Sequence, residues 1–298
     1  MDYDALIIGG SYAGLSAAMQ LARARRTVCV IDSGKPRNRF AAAAHGFFGQ
    51  DGVAPGTMIS RARTQLLAYP TVTVMDDEAI SAQRHPGGQF TVGTASGMTV
   101  TSRGVILALG VQDVLPEIPG LGERWGVSVL HCPFCHGFEF AGERLGVLAT
   151  APLTSHHARL IREWGPTTLF LNGLGDMDAA MRSELQEMDV PVESGPIAAL
   201  EGDGRMLTGI RLGDQRLVPL DAIFISPQRN LNPLATQLGC DLDEGPTGPV
   251  VQTDPLGRTS VPGVYAAGDV MQAAGNATTA SADGVLAAMG LFRDLVFG

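Results

Sequence analysis

The sequence predicts an α/β protein of two Rossmann-like, three-layer nucleotide-binding domains, the second of them degenerate. Three observations lead there. Residues 4 to 32 read strand, glycine turn, helix, strand; the same order of elements restarts at "RLGVLAT"; and the closing segment carries a strand ending in Gly268-Asp269 before a helix of small residues. A chain of 298 residues has room for about two domains of ordinary size.

The first block is "DALIIGGSYAGLSAAMQLARARRTVCVID". Its glycines stand between an apolar run and an amphipathic stretch, so the turn brings backbone N–H groups to a helix N-terminus, where a pyrophosphate is held. Gly9, Ser11 and Gly14 occupy the three fingerprint positions, with Gly10 and Ala13 in the same small-residue turn. Serine at the second position costs some close approach without blocking it. Asp32 closes the second strand, where a carboxylate can accept hydrogen bonds from ribose hydroxyls.

The runs "TVTVM", "QFTVGT", "MTVTS" and "GVILALG", the last ending at Gly110, predict a small antiparallel meander feeding back to a parallel sheet. The plan then repeats with "RLGVLAT", a helical "SHHARLIREWG", the strand "TTLFLNG", "LTGIRL" and "DAIFIS". The second turn, "ATAPLTSHHA", contains no glycine, and no basic residue follows "TTLFLNG" to meet a 2'-phosphate. The second nucleotide site is expected to be lost or greatly weakened. In the closing segment Asp269 stands at a strand end, where it can hold a ribityl chain, and the small residues after it let a helix approach a ligand.

Composition narrows the function. Lys+Arg 21 against Asp+Glu 30 gives a net charge of -9, which argues against nucleic-acid and anionic-membrane partners. No apolar run approaches the roughly 18 to 20 residues that span a bilayer, and "MDYDALIIGG" has no basic leader, so a soluble, cytoplasmic protein is expected. Four cysteines do not make a disulfide framework at this length; a close pair reads as redox or metal chemistry.

That pair is in "HCPFCHG", residues 131 to 137. A zinc site needs two further ligands from a distant pair; no second CxxC and no HxxxH occurs, and His131 and His136 abut the cysteines too closely to fold onto the same ion, so no metal is expected. A structural crosslink over so short a loop would stabilise little. Working sulfurs are the reading that remains. Cys29 and Cys240 read as packing thiols, and His156 and His157 fall on a surface helix without assignment.

The ordered set "IIGGSYAG", "LALGVQDVLPEIPG", "CPFCHG" and "TSVPGVYAAGDV" resembles the low-molecular-weight thioredoxin reductase family of FAD-dependent disulfide oxidoreductases, over nearly the whole chain. The resemblance implies FAD as cofactor, an FAD domain split into residues 1–114 and 241–298, an inserted NAD(P)H-type domain over 115–240 carrying the CxxC, and a homodimer. It assigns Gly9, Gly10, Ser11, Ala13, Gly14, Asp32, Gly110, Gly268 and Asp269 to the cofactor. Cys132 becomes the exchange cysteine, Cys135 the one facing the flavin, and His136 the general base. His131 is a second base, a substrate contact or a packed, silent ring. His45, in "AAHGFFGQDG", either lines the flavin or substrate cleft or lies under its own aromatics.

Two departures stand out: the missing nicotinamide turn, and His136 where the reductases carry aspartate. Both resemble the dithiol oxidases of this family, which close disulfides in small molecules such as gliotoxin and holomycin. The implied reaction takes electrons from a small dithiol through FAD to O2, giving H2O2. Two alternatives stay open: a reductase of a thioredoxin-like protein, fed by atypically bound NADPH or by ferredoxin, and a non-catalytic flavin sensor whose CxxC reports redox state.

Overall fold

Short strands that are apolar on both faces need helices or further sheets over each side, and this chain supplies them twice. The computed structural model describes residues 2–150, 154–175 and 177–298; the middle of the glycine-free second turn, 151–153, lies outside the described residues. Internal contacts divide the chain into two compact units. One comprises Met1–Arg39, Phe47–Gln112 and Arg229–Gly298, the other Phe40–Gly46 and Asp113–Gln228.

In the first unit the strand Asp2–Ile8 buries Ala5 through Ile8 and pairs in parallel with Val28–Asp32 on one side and Thr99–Leu107 on the other. The helix Pro55–Leu67 follows Val28–Asp32 and leads to Val72–Asp76, which joins the same sheet in parallel, Val30 opposite Val74. "TVTVM" is therefore a parallel-sheet strand and not the start of the meander, because a helical crossover precedes it. The meander is Ala79–Arg84, Phe90–Thr94 and Thr99–Leu107. "MTVTS" and "GVILALG" form one strand between them: Gly104 reads as punctuation, but a Cβ there would lie 2.4 Å from Leu291 Cδ1, so this glycine makes room for the final helix. That long strand forks, pairing antiparallel with Phe90–Thr94 over its first half and parallel with Val264–Ala266 over its second.

Helices Tyr12–Arg23 and Ala277–Phe297 share one core with this sheet and pack closely on each other, since a Cβ at Gly284 would sit 2.1 Å from the Ala13 carbonyl oxygen. On the other face Leu234, Ala235, Leu238 and Cys240 join Phe90, Val92 and Val264 in one core. Residues 229–240 thus lie in the first unit, whereas the sequence reading assigned them to the inserted domain.

In the second unit five parallel strands run in the order Val192–Glu193, Thr167–Phe170, Leu145–Leu148, Ala222–Ile225, Val129–Leu130. Strand residues alternate between two cores, as a two-residue period requires. Leu130, Leu145, Val147 and Phe224 face Ala158 and Ile161 of the helix Thr154–Ile161. Leu148, Ile223 and Ile225 face the antiparallel layer Ile197–Asp203, Met206–Leu212, Leu217–Pro219 through Ile210 and Leu212. Phe40 packs against this second core, which anchors the segment 40–46 here. Among the described residues no helix is long and apolar enough to cross a membrane.

Candidate active site

The glycine turn of the first unit is built by close backbone approach. Gly9, at φ +110°, donates its N–H to the Ile31 carbonyl at 2.8 Å, and a Cβ on it would lie 2.1 Å from the Ala108 oxygen. At Gly14 a Cβ would strike the Gly9 oxygen at 1.8 Å. Ser11 has an extended backbone (φ -99°) and caps the helix without a side-chain bond, so nothing there requires glycine. The first-turn N–H groups of this helix have no intrahelical acceptors. Asp32 receives the Gly10 N–H at 3.0 Å, which holds its carboxylate over the turn.

The far end of the sheet completes the cradle. Gly268 (φ +78°) turns the chain after Val264–Ala266, with room for a Cβ only 3.1 Å from that of Ala13. Asp269 follows, ion-paired with Arg37 at 2.9 Å, both side chains about one-fifth exposed. Asp283 accepts hydrogen bonds from the Gly268 N–H and the Gln272 side chain, and burial raises its pKa. Asn38 donates to the Tyr12 hydroxyl at 3.0 Å. Asn38 Oδ1 and Asp283 Oδ2 are buried without a hydrogen-bond partner among the described residues, an unmet demand that a bound polar molecule would satisfy. Gly110 turns the chain at φ +62° just past the forked strand. Open helix N–H groups, an acid at the second strand and unsatisfied polar atoms fit a dinucleotide. Arg37, Asn38 and Asp283 carried no sequence signal, being single polar residues outside any motif.

The redox pair stands in the second unit, at the carboxyl end of the edge strand Val129–Leu130, the end of a parallel sheet where ligands gather. Cys132 is the extended N-cap of the short helix Pro133–His136, and Pro133 occupies the first helical position, where its missing N–H costs nothing. Cys132 and Cys135 are joined as a disulfide. His136 follows directly and is half-buried. Desolvation holds its pKa below the ordinary 6.5, with Glu139 pulling it up and His45 pulling it down. Desolvation thereby favours the neutral, proton-accepting form of the ring. His131 lies beside Trp125, ring centroids 6.0 Å apart. His45 comes to this helix from the segment 40–46, its Nε2 3.4 Å from Glu139 Oε1. Glu139 was missed in the sequence, where a lone acid beside the motif looks like any surface residue.

At the carboxyl ends of the second sheet a cavity of about 310 Å³ is lined by Leu115, Leu148, Thr150, Asn172, Leu174 and Gln228 among others. No lysine or arginine is among its described lining residues. Asn172 is committed to the Ile197 N–H at 2.8 Å. His157 is not a surface residue as expected: it is half-buried, with Nδ1 2.7 Å from Ser226 Oγ, and burial lowers its pKa.

Known proteins share this architecture. The family profile described as pyridine nucleotide-disulphide oxidoreductase matches residues 3–147 and 167–284. The chain is similar to thioredoxin reductase tcpT of Claviceps purpurea (35% identical, covering 89% of this chain and 86% of that one). It is also similar to thioredoxin reductase aclD of Aspergillus oryzae (31% identical, covering 99% and 97%). Among solved structures, an oxidoreductase from Agrobacterium tumefaciens superposes with a TM-score of 0.95 at 42% identity, covering 100% of this chain and 99% of that one.

Proposed function

The chain belongs to the pyridine nucleotide-disulphide oxidoreductase family as an FAD-binding, thioredoxin reductase-like disulfide oxidoreductase, and from that premise we propose that it is a dithiol oxidase acting on a small molecule. The observation that carries this reading is the half-buried His136 placed directly after the second sulfur of the Cys132–Cys135 disulfide, where desolvation disfavours its imidazolium.

A base near neutrality suits the oxidative direction, because the attacking species is a thiolate. One substrate thiol gives its proton to His136 and attacks Cys132 sulfur; the Cys132–Cys135 bond breaks and Cys135 leaves as thiolate. The second substrate thiol, deprotonated, attacks the substrate sulfur of the mixed disulfide, closes the substrate disulfide and expels Cys132 thiolate. FAD, when bound, would supply the two-electron acceptor for the enzyme dithiol, with O2 as the final acceptor and H2O2 as product. The residues that would hold it are Gly9, Gly10, Ser11, Ala13, Gly14, Asp32, Gly110, Gly268 and Asp269, in the split domain, while the inserted domain carries the sulfurs.

The second-unit cavity supports the same direction, since a 2'-phosphate finds no cation among its described lining residues. A second reading, reduction of a thioredoxin-like protein with NADPH or ferredoxin as donor, is favoured by the names of the relatives. The two separate in anaerobic stopped-flow absorbance of the holoprotein. Bleaching by a small dithiol and not by NADPH, with peroxide formed on admitting air, supports the oxidase; rapid bleaching by NADPH refutes it. We also expect a homodimer, which light scattering would read as twice the 31.2 kDa chain mass.

A further inference from the structure

We propose that Glu139 is a positioning residue for His136, its carboxylate steadying the imidazolium formed when His136 takes a thiol proton, while His45, in contact with that carboxylate, works against it. The inference rests on the proposed role of His136 as proton acceptor.

Three observations carry it. The helix Pro133–His136 runs on through Gly137 (φ -67°, ψ -31°) into the 3-10 turn Phe138–Phe140, so Glu139 stands one turn beyond His136 on the same side. That turn is fixed in place: a Cβ at Gly137 would lie 2.6 Å from the Pro133 carbonyl oxygen and 2.7 Å from the Trp164 ring. And Glu139 Oε1 is 3.4 Å from His45 Nε2, a contact with a segment far away in sequence. Glu139 is the exposed member of the group, its side chain about 40% exposed, whereas His45, at about 28%, and His136 are half-buried. A proton accepted at the sulfurs would thus be balanced by a carboxylate at the solvent edge, and solvent can remove it there. Among the described residues the charges acting on His136 are Glu139, from its own helical turn, and His45, from the segment 40–46; the two sulfurs do not titrate while bonded.

The two neighbours act with opposite sign. Glu139 favours protonated His136, and His45 disfavours it. In holoprotein labelled with ¹³C-histidine, the His136 ring signal, assigned with His136→Asn, gives its titration midpoint. Glu139→Gln should move that midpoint down and His45→Asn should move it up, with flavin absorbance unchanged. The pH profile of flavin reduction by dithiothreitol should follow each shift, and its plateau should fall several-fold in Glu139→Gln, a weaker base accepting protons more slowly. A general loosening of the loop would not shift the midpoint in opposite directions. Midpoints that stay put, or that move the same way in both variants, overturn the proposal. Opposite shifts without dithiol turnover uphold Glu139 and refute the oxidase reading; dithiol turnover with unmoved midpoints does the reverse.

Discussion

In the proposed dithiol oxidase, His136 is the one side chain whose protonation bears on the direction of the chemistry. Its pKa lies below 6.5 because burial disfavours the imidazolium, so the proton-accepting form is already present at neutral pH. Flavin reduction by a dithiol should therefore rise with pH through a midpoint below 6.5 and level off by neutrality. A midpoint above 6.5 would remove His136 as the base. His136→Asn should slow that reduction by about 10² to 10⁴-fold while leaving bound FAD in place. Cys135→Ser should leave a flavin that small dithiols cannot bleach at all, as seen in an anaerobic absorbance trace. The lowered pKa values also act on stability. Folded His136 and His157 bind protons less readily than in the unfolded chain, so stability is complete above the unfolded value of 6.5 and falls as pH drops below it, visible as a lower urea midpoint. The CxxC and His136 were legible in the sequence because they are contiguous. Glu139 and His45 were not legible as a pair, because nothing near either one names the other.

Among the elements, the first strand-turn-helix is the one whose sequence signature and geometry can be compared position by position. The fingerprint tolerates Ser11 because the backbone there is extended. It does not tolerate a side chain at Gly14, where a methyl group would overlap the Gly9 carbonyl. Gly14→Ala should cost about 1–3 kcal/mol of turn strain, and FAD retained per chain, from the ratio of flavin to protein absorbance, should fall accordingly. Ser11→Gly should retain FAD fully; a loss there would mean the hydroxyl itself is needed. The meander was misread at its first strand for a physical reason. Alternating "TVTVM" has the period of any strand, and only the crossover helix Pro55–Leu67 decides that it pairs in parallel with Val28–Asp32.

For the molecule as a whole, FAD held at the proposed site would contribute to the stability of the first unit. Buried Asn38 Oδ1 and Asp283 Oδ2 need a partner, and binding to the folded state alone stabilises it by about 2.7 kcal/mol at a ligand concentration of a hundred times Kd. Removing FAD should lower the thermal midpoint by several degrees, and adding it back should restore the loss. An unchanged midpoint would place the cofactor elsewhere. The α/β class and the double nucleotide-binding plan were legible in the sequence; the exact membership of each unit was not. Residues 40–46 join the second unit through Phe40, and 229–240 join the first through Leu234 and Leu238.

The sequence by itself determined what short stretches of backbone dictate: the glycine turn before a helix, Asp32 at the end of the next strand, two sulfurs one helical turn apart, and a second turn without glycines. Each of these depends on residues within a few positions of one another, where covalent geometry limits the outcome. Only the tertiary structure decided that Arg37 meets Asp269 across 232 positions, that His45 reaches Glu139, and that desolvation lowers the pKa of His136. Those outcomes depend on which distant apolar surfaces pack together, and hydrophobic burial is non-directional, so no local pattern encodes which polar partners it brings into reach.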